Sequence, residues 1–487
     1  MMQRIQIDPI TRLEGHGRIE IFLDANGDVE RAFFQVPELR GFEEFCRGRI
    51  AEDLARITPR ICGVCPTAHH MASGKALDDL YKVEPPPAAR KIRELINSAF
   101  IFEDHTLHFF YLGGPDFIVG PTAPKAERNI LGVLQKVGLE VAQQVIAIRR
   151  QVRAVIEKQG GRVIHPVCNI PGGVSKGVTA EDRAEYQQLA EAMVEFAQFA
   201  LSIFEKVVLQ NAEYVDLIKS AGYSLPTYYM GTVDAQNRVN LYDGDIRIVT
   251  PDGQEFLKFA PKDYLQHIAE HVEPWSYVKF PFLKAIGWQG FQTGLQSGIY
   301  RVAPLARLNA ADGMATPLAQ EQYEKMFAKL GGKPAHHTLA YHWARLVELL
   351  YCAERFRELA NDPEICAPTI RQIPEKIPSE GIGAVEAPRG TLIHHYQSDP
   401  QGKITAVNLL VATVHNSAAI CMSIEQAARQ MIKGGKISEG ILNLVEMAFR
   451  AYDPCFACAT HSLPGQMPLV VAIYDHNHAL LRELKRG

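Results

Sequence analysis

The sequence predicts a mainly α protein of the α+β kind, a large helical-bundle domain with peripheral antiparallel β segments. Two amphipathic stretches, 88–112 and 126–159, carry apolar residues at helical spacing over many turns. Alternating β patterns are confined to the first residues and to an insert near the middle. With 487 residues, 47% of them apolar and 22% charged, the chain has ample length for a large core.

Each element follows from its own local signal. "GRIEIFLD" (17–24) alternates, Asn26-Gly27 supplies a turn, and "VERAFFQV" returns, which makes a hairpin. Helical periodicity takes over in "AARKIRELINSAFIFEDHTLHFFYL" (88–112), and the next stretch stops at Gly160-Gly161. Thr179 with Asp182 resembles an N-cap pair opening a helix that runs to about Ser220. A strand-rich insert occupies 227–258, with turns at "DAQN", "DGD" and "PDG". Helices resume at 317–330, 337–359 and 423–432, and the last, 438–452, ends just before Asp453-Pro454. The Pro-rich "APTIRQIPEKIPSE" (367–380) reads as a surface loop, and there is no internal repeat.

Charge and hydropathy narrow the function classes. A net charge of -4 makes no electrostatic case for nucleic acid or an anionic membrane. The N-terminus lacks the apolar run of a signal peptide. The most apolar window, 404–422, contains Asn408, His415 and Asn416 and is short for a membrane span, so a buried strand or helix is expected and no transmembrane segment. A cytoplasmic location is the expectation, unless a partner carries an export signal.

The nine cysteines are too sparse and too odd in number for a disulfide framework. Cys168, Cys352, Cys366 and Cys421 stand singly and read as buried thiols. Four others are arranged differently. "RICGVCPTAHH" (60–70) and "DPCFACATH" (453–461) each set a Cys-x-x-Cys pair before a histidine, almost the full chain apart. Such a turn lets two sulfurs converge on one ion, and four thiolates suit zinc, iron–sulfur clusters, nickel or copper. On the pairs alone, a closed structural zinc is the plain reading. Against it, structural zinc serves domains too small to fold otherwise. Arg60, Asp453, His69 and His461 also flank the pairs, and such groups tune charge and carry protons around a working metal. If the two pairs meet, 60–70 and 453–461 are neighbours and residues 1–487 form a single domain.

With their flanks, these motifs resemble the paired signatures of the large, catalytic subunit of nickel–iron hydrogenases. The resemblance covers almost the whole chain. It includes "DPITRLEGHGRIEI" near the start, "RGFEEFCRGR" (40–49), "EAPRGTLIHHY" (386–396) and "NLLVATVHN" (408–416). The chain is most similar to the soluble cytoplasmic, bidirectional branch, the NAD-linked and methyl-viologen-reducing types. The resemblance implies that fold, with nickel bound by Cys62, Cys65, Cys455 and Cys458. It further implies that Cys65 and Cys458 bridge to an iron carrying carbon monoxide and cyanide.

Arg389 in "APRG" matches the arginine held over the open metal positions. A guanidinium there stays charged at any working pH and can polarise hydrogen or assist as a base, whereas without the resemblance a salt-bridging loop arginine is the plainer reading. Pro388 and Thr413 match residues that enclose and hydrogen-bond the cyanides. Ala412-Thr413 departs from the Pro-Ser or Pro-Thr of many relatives, which puts contacts from that segment in doubt. Glu14 matches the carboxylate that passes protons from a terminal cysteine thiolate, here Cys455. Asp116 in "GGPDF" and Asp453 match acidic residues beside the arginine. His69 is expected to hydrogen-bond a bridging sulfur, and His70, His394 and His395 to be structural or further out. Glu43 and His461 match ligands of magnesium or a similar ion, with a backbone carbonyl near Leu409 as the third.

Residues 462–487 resemble an extension that an endopeptidase removes after maturation proteins insert nickel; the alternative is a permanent last strand, "PLVVAIYD". The activity implied is reversible heterolytic cleavage of H2 to two protons and two electrons. With no further cysteine cluster here, iron–sulfur clusters belong to a partner small subunit, with diaphorase or other electron-transfer subunits beyond. Two alternatives stay open at this point, a hydrogen sensor on the same scaffold, against which the long tail argues, and a non-catalytic zinc protein. The related quinone-reductase subunit belongs to a lineage that has lost the metal cysteines, and all four are present here.

Overall fold

Strands β1 (Gln3–Ile7), β2 (Arg18–Leu23) and β3 (Val29–Gln35) form an antiparallel sheet in which Ile5 faces Ile21 and Ile19 faces Phe34. This computed structural model describes residues 3–8 and 10–460, together with the backbone of Leu469–Tyr474 and Leu480–Arg486. The hairpin β2–β3 is the expected one, and β1 adds a strand beyond it. The importance of β1 lies in the loop to β2, which carries Arg12 and Glu14 inward.

Helix α1 (Pro66–Leu80) starts on the residue after Cys65, with proline at its first position, where a missing N–H costs nothing. Helix α2 (Pro87–Leu107) continues into a wide π turn, His108–Gly113. The single helix expected over 126–159 is two: α3 (Ile130–Val137) and α4 (Leu139–Gly160) meet at Gly138 at an angle of 119°. Asn129 caps the first by accepting from the amides of Leu131 and Gly132. The capping box of Thr179 and Asp182 does open α5 (Ala180–Phe204). That helix does not reach Ser220, because Asn211 caps a separate α6 (Ala212–Lys219).

The insert supplies β4 (Tyr228–Val233), β5 (Asp245–Val249) and β6 (Glu255–Phe259), antiparallel to one another. Next come α7 (Pro304–Ala310), α8 (Pro317–Leu330) and α9 (Tyr341–Asn361), the last packed between α2 and α5. Strands β7 (Glu380–Ala387), β8 (Gly390–Ser398) and β9 (Ile404–Leu410) make a further antiparallel sheet, followed by α10 (Ser417–Met431) and α11 (Glu439–Arg450).

Within this last sheet, β7 and β8 run through the interior at the turn between them. Residues 383–396 of β7, the turn and β8 are buried throughout, so the strands lack the alternation that marks a half-exposed strand. Strand β7 lies directly on α1: a Cβ at Gly381 or Gly383 would run into the helix backbone at Ala76 and Ala72. The apolar window 404–422 divides into β9 and the first turns of α10. The Pro-rich segment is exposed, with Ile373 and Ile377 at 72% and 70%. One buried apolar cluster runs from Ile7 to Ala459. Among the described residues, no single helix is long and apolar enough to cross a membrane. The final two strands pair antiparallel, Leu469 opposite Arg486.

Candidate metal centre

The first cysteine pair sits between a 3-10 turn, Thr58–Ile61, and the N-terminus of α1. The amides of Val64 and Cys65 both donate to Cys62 Sγ at 3.2 Å, which folds the loop around that sulfur. The second pair follows α11. Glu14 clamps it: Phe456 N donates to the Glu14 carbonyl at 2.9 Å, and Glu14 and Cys455 form a β-bridge. All four sulfurs therefore meet. They lie within 4.8 Å of one another and are buried.

The pairing crosses the two motifs. Cys62 Sγ is 3.3 Å from Cys455 Sγ and Cys65 Sγ is 3.1 Å from Cys458 Sγ, first with first and second with second. Such separations are far longer than a disulfide bond of about 2.05 Å. Four soft sulfur donors around one buried point are a donor set for a thiophilic metal. Burial pushes the Cys455 and Cys458 thiols far above their usual range. For Cys62, burial is outweighed by hydrogen bonds from Cys455, Cys458 and Cys65, and its thiol is held well below that range.

Glu14 is the carboxylate at this cluster. Its Oε2 is 2.8 Å from Cys455 Sγ and accepts from Ala457 N at 3.3 Å. Burial, and next the charge of Cys62, raise its pKa; the hydrogen bond from Cys455 and the charge of Arg389 act the other way.

Arg389 arrives on the two-residue turn, Pro388-Arg389, between β7 and β8. Gly390, at φ 130°, leaves no room for a side chain, because a Cβ would overlap Val302. The guanidinium pairs with Asp453 at 2.9 Å and with Asp104 at 3.2 Å. The expectation that Asp116 lies beside this arginine is therefore corrected. Asp116 pairs instead with Arg12 at 2.5 Å and Arg450 at 3.1 Å. The second acid at Arg389 is Asp104, in the last turn of α2. Asp104 lies in "FEDHTLHFF", where the helix is buried on all sides around it, and the sequence alone carried no signal for it. Burial opposes charge on Arg389, but Asp104 and Asp453 outweigh it and hold the guanidinium firmly protonated. Burial pushes the Asp104 carboxyl up to about 7, with Asp453 adding to the rise against Arg389. Two further side chains close the cluster and were not anticipated. His108 Nε2 is 3.9 Å from Asp453, and Arg345 donates to the Ala451 carbonyl at 2.9 Å.

The remaining predicted residues fall around this core. Thr413 Oγ1 accepts from Cys455 N at 3.1 Å. Pro388 is buried, and its carbonyl accepts from Arg307 at 3.3 Å. His69 is buried on α1, its Nδ1 3.0 Å from His394 Nε2. His70 bridges the Ala55 carbonyl and Asn169 N, so its contacts tie loops together. Glu43 Oε1 accepts from Leu409 N at 2.7 Å, which brings those two together. His461 lies outside the described residues, but Thr460 is held by Arg40 N, which donates to its carbonyl at 2.6 Å.

The sequence matches the nickel-dependent hydrogenase family over residues 40–160 and 267–461, and the HoxL-like family over residues 4–39. It is 48% identical to an F420-non-reducing hydrogenase iron–sulfur subunit of Archaeoglobus profundus, over 99% of this chain and 100% of that one. The chain belongs to the nickel-dependent hydrogenase family. As a hydrogenase large subunit it is an oxidoreductase acting on H2, and its four-cysteine group fits a nickel–iron centre. It is also similar to the beta subunit of the NAD-reducing hydrogenase HoxS of Cupriavidus necator, at 36% identity over 100% of both chains. The solved NAD+-reducing NiFe-hydrogenase in its H2-reduced state matches this hydrogenase chain with a TM-score of 0.88 at 37% identity, covering 94% of this chain and 99% of that one. Membership sets aside the structural-zinc alternative.

Proposed function

We propose that residues 1–487 form one catalytic domain that cleaves H2 heterolytically and reversibly into two protons and two electrons. Cys62, Cys65, Cys455 and Cys458 would hold a nickel–iron pair, with Cys65 and Cys458 bridging. When bound, that pair, its iron carrying carbon monoxide and cyanide, supplies the Lewis-acidic and redox-active chemistry. The observation that carries the reading is the short contact between Cys455 Sγ and Glu14 Oε2, at 2.8 Å, within a ring of four buried sulfurs.

The protein groups divide the remaining work. A proton on Cys455 Sγ passes to Glu14 Oε2, whose raised pKa suits a group that must take a proton up and give it away. Arg389 contributes a fixed positive charge, aimed by Asp104 and Asp453, where charge separates. Pro388 and Thr413 would enclose the diatomic ligands, and His69 would steady a bridging sulfur. Glu43 and the carbonyl of Leu409, with His461, would bind magnesium or a similar hard cation.

Electrons need an exit. The other described cysteines form no second metal-ligating group, so the iron–sulfur clusters belong to a small subunit. Gly63, between Cys62 and Cys65, is exposed and would let a partner approach the sulfurs. Further electron-transfer subunits, a diaphorase among them, would take the electrons on in the cytoplasm; relatives named as subunits of F420-non-reducing and NAD-reducing hydrogenases support a multi-subunit enzyme. Residues 462–487 would be removed by an endopeptidase after maturation proteins deliver nickel. The test is hydrogen-dependent viologen reduction by the purified complex. Cys65→Ser should abolish it in a folded chain, and retained activity would contradict the assignment. Turnover far below that of an enzyme would favour a sensor instead.

A further inference from the structure

Behind the turn that presents Arg389 lies a second arginine. Arg307, on α7, directs all of its five hydrogen bonds to two glutamates and two backbone carbonyls. It donates to Glu348 at 2.6 and 2.5 Å and to Glu386 at 2.8 Å. The same guanidinium donates to the carbonyls of Ala387 at 2.9 Å and Pro388 at 3.3 Å, the two residues immediately before Arg389. Arg307, Glu348 and Glu386 are each 0% exposed.

The glutamates extend the hold in two directions. Glu386 also accepts from Thr232 N, Thr232 Oγ1 and Thr391 Oγ1, all at 2.9 Å, which fixes both strands at the turn. Glu348, on α9, is 3.0 Å from His105 Nε2, and His105 is the neighbour of Asp104 on α2. One network therefore grips the turn that carries Arg389 and the helix segment that carries its partner Asp104. A buried ion triad contributes little net stability compared with apolar packing of the same volume. What it does supply is fixed geometry: the planar fork of arginine can serve both carboxylates and both carbonyls together, and a lysine cannot.

We infer that Arg307, with Glu348 and Glu386, is a positioning residue that sets the placement of Arg389 between Asp104 and Asp453. The inference rests on the reading of Arg389 as the residue over the metal positions. Its test uses Arg307→Lys in the complete, metal-loaded hydrogenase. A lysine keeps the charge in place but gives up the fork. Viologen reduction per nickel should fall roughly 10- to 100-fold, with nickel and iron contents unchanged. The infrared bands of the diatomic ligands should shift in the same direction as in Arg389→Lys. The double variant should be no slower than Arg389→Lys alone, because both changes act through one group. Glu386→Gln, which is isosteric, carries the same expectation if the lysine variant does not accumulate.

Activity per nickel within about twofold of wild type in these variants, or losses that multiply in the double variant, would overturn the inference. So would failure of both variants to fold, which would make the network a folding element. Absence of nickel and of activity in the wild type would instead remove the hydrogenase reading beneath it.

Discussion

Two buried arginine–carboxylate clusters, made of the same residue types, hold their central aspartates in opposite ways. Around Arg389 one guanidinium faces two carboxylates, Asp104 and Asp453. Asp116 faces two guanidiniums, Arg12 and Arg450, with Asn443 Nδ2 donating at 3.1 Å, and Arg450 also pairs with Glu446. Burial and surplus acid raise Asp104 to about 7. At the other cluster the cations Arg450 and Arg12 outweigh burial and hold Asp116 below its ordinary value, while burial drops Arg450 to about 9. The first cluster abuts the sulfurs and can hold or release a proton near neutral pH. The second is a locked pair that fastens the N-terminal segment to α11. Burial and residue type are shared; the number of cations touching the aspartate, one at Asp104 and two at Asp116, decides which cluster can do proton chemistry.

That contrast can be tested by removing one member at a time. Arg389→Met should lower viologen reduction by about a thousandfold at unchanged nickel content, as for loss of a preorganised charge. Asp104→Asn should cost roughly 10- to 100-fold, since the guanidinium survives but loses one of its two anchors. Asp116→Asn should leave activity per nickel within about threefold while lowering unfolding free energy by ~3–5 kcal/mol in denaturant titrations, because Arg12 and Arg450 lose the buried carboxylate they share. If Asp116→Asn proves the slower enzyme and Asp104→Asn the less stable protein, the two roles are exchanged.

The subtlest difference lies in pH. Folded Asp104 keeps its proton to about pH 7, whereas the unfolded chain releases it near 3.8. Between those values the native state binds more protons, so this group makes stability fall as pH rises, by at most about 1.4 kcal/mol per pH unit. Asparagine cannot titrate. The unfolding free energy of wild type relative to Asp104→Asn should therefore decline from pH 4.5 to pH 7. A difference that stays flat would mean Asp104 is ionised throughout.

The sulfur cluster was legible in the sequence because ligand spacing is local: each Cys-x-x-Cys turn announces a metal site, and the two halves share one chemistry. Long helices were legible from periodicity, and the capping box of Thr179 and Asp182 from its spacing. Breaks at Gly138 and Asn211 were not, since apolar spacing continues across both while the backbone does not. Strands β7 and β8 were hidden because residues 383–396 are buried on both faces. Asp104 was hidden for a related reason. An aspartate within an amphipathic helix resembles any solvated acid until tertiary packing buries it, whereas Asp116 was singled out by the match of "GGPDF" to the family. Arg307 illustrates the same limit, as its partners Glu348 and Glu386 come from α9 and β7, far away in the chain.

Whether thiolates from opposite ends of the chain share one bimetallic site is decided by metal analysis of the purified complex. Equimolar nickel and iron attributable to this chain are expected, both lost when Cys65 or Cys458 becomes serine. Zinc in their place, or nickel that survives both substitutions, would contradict the shared site.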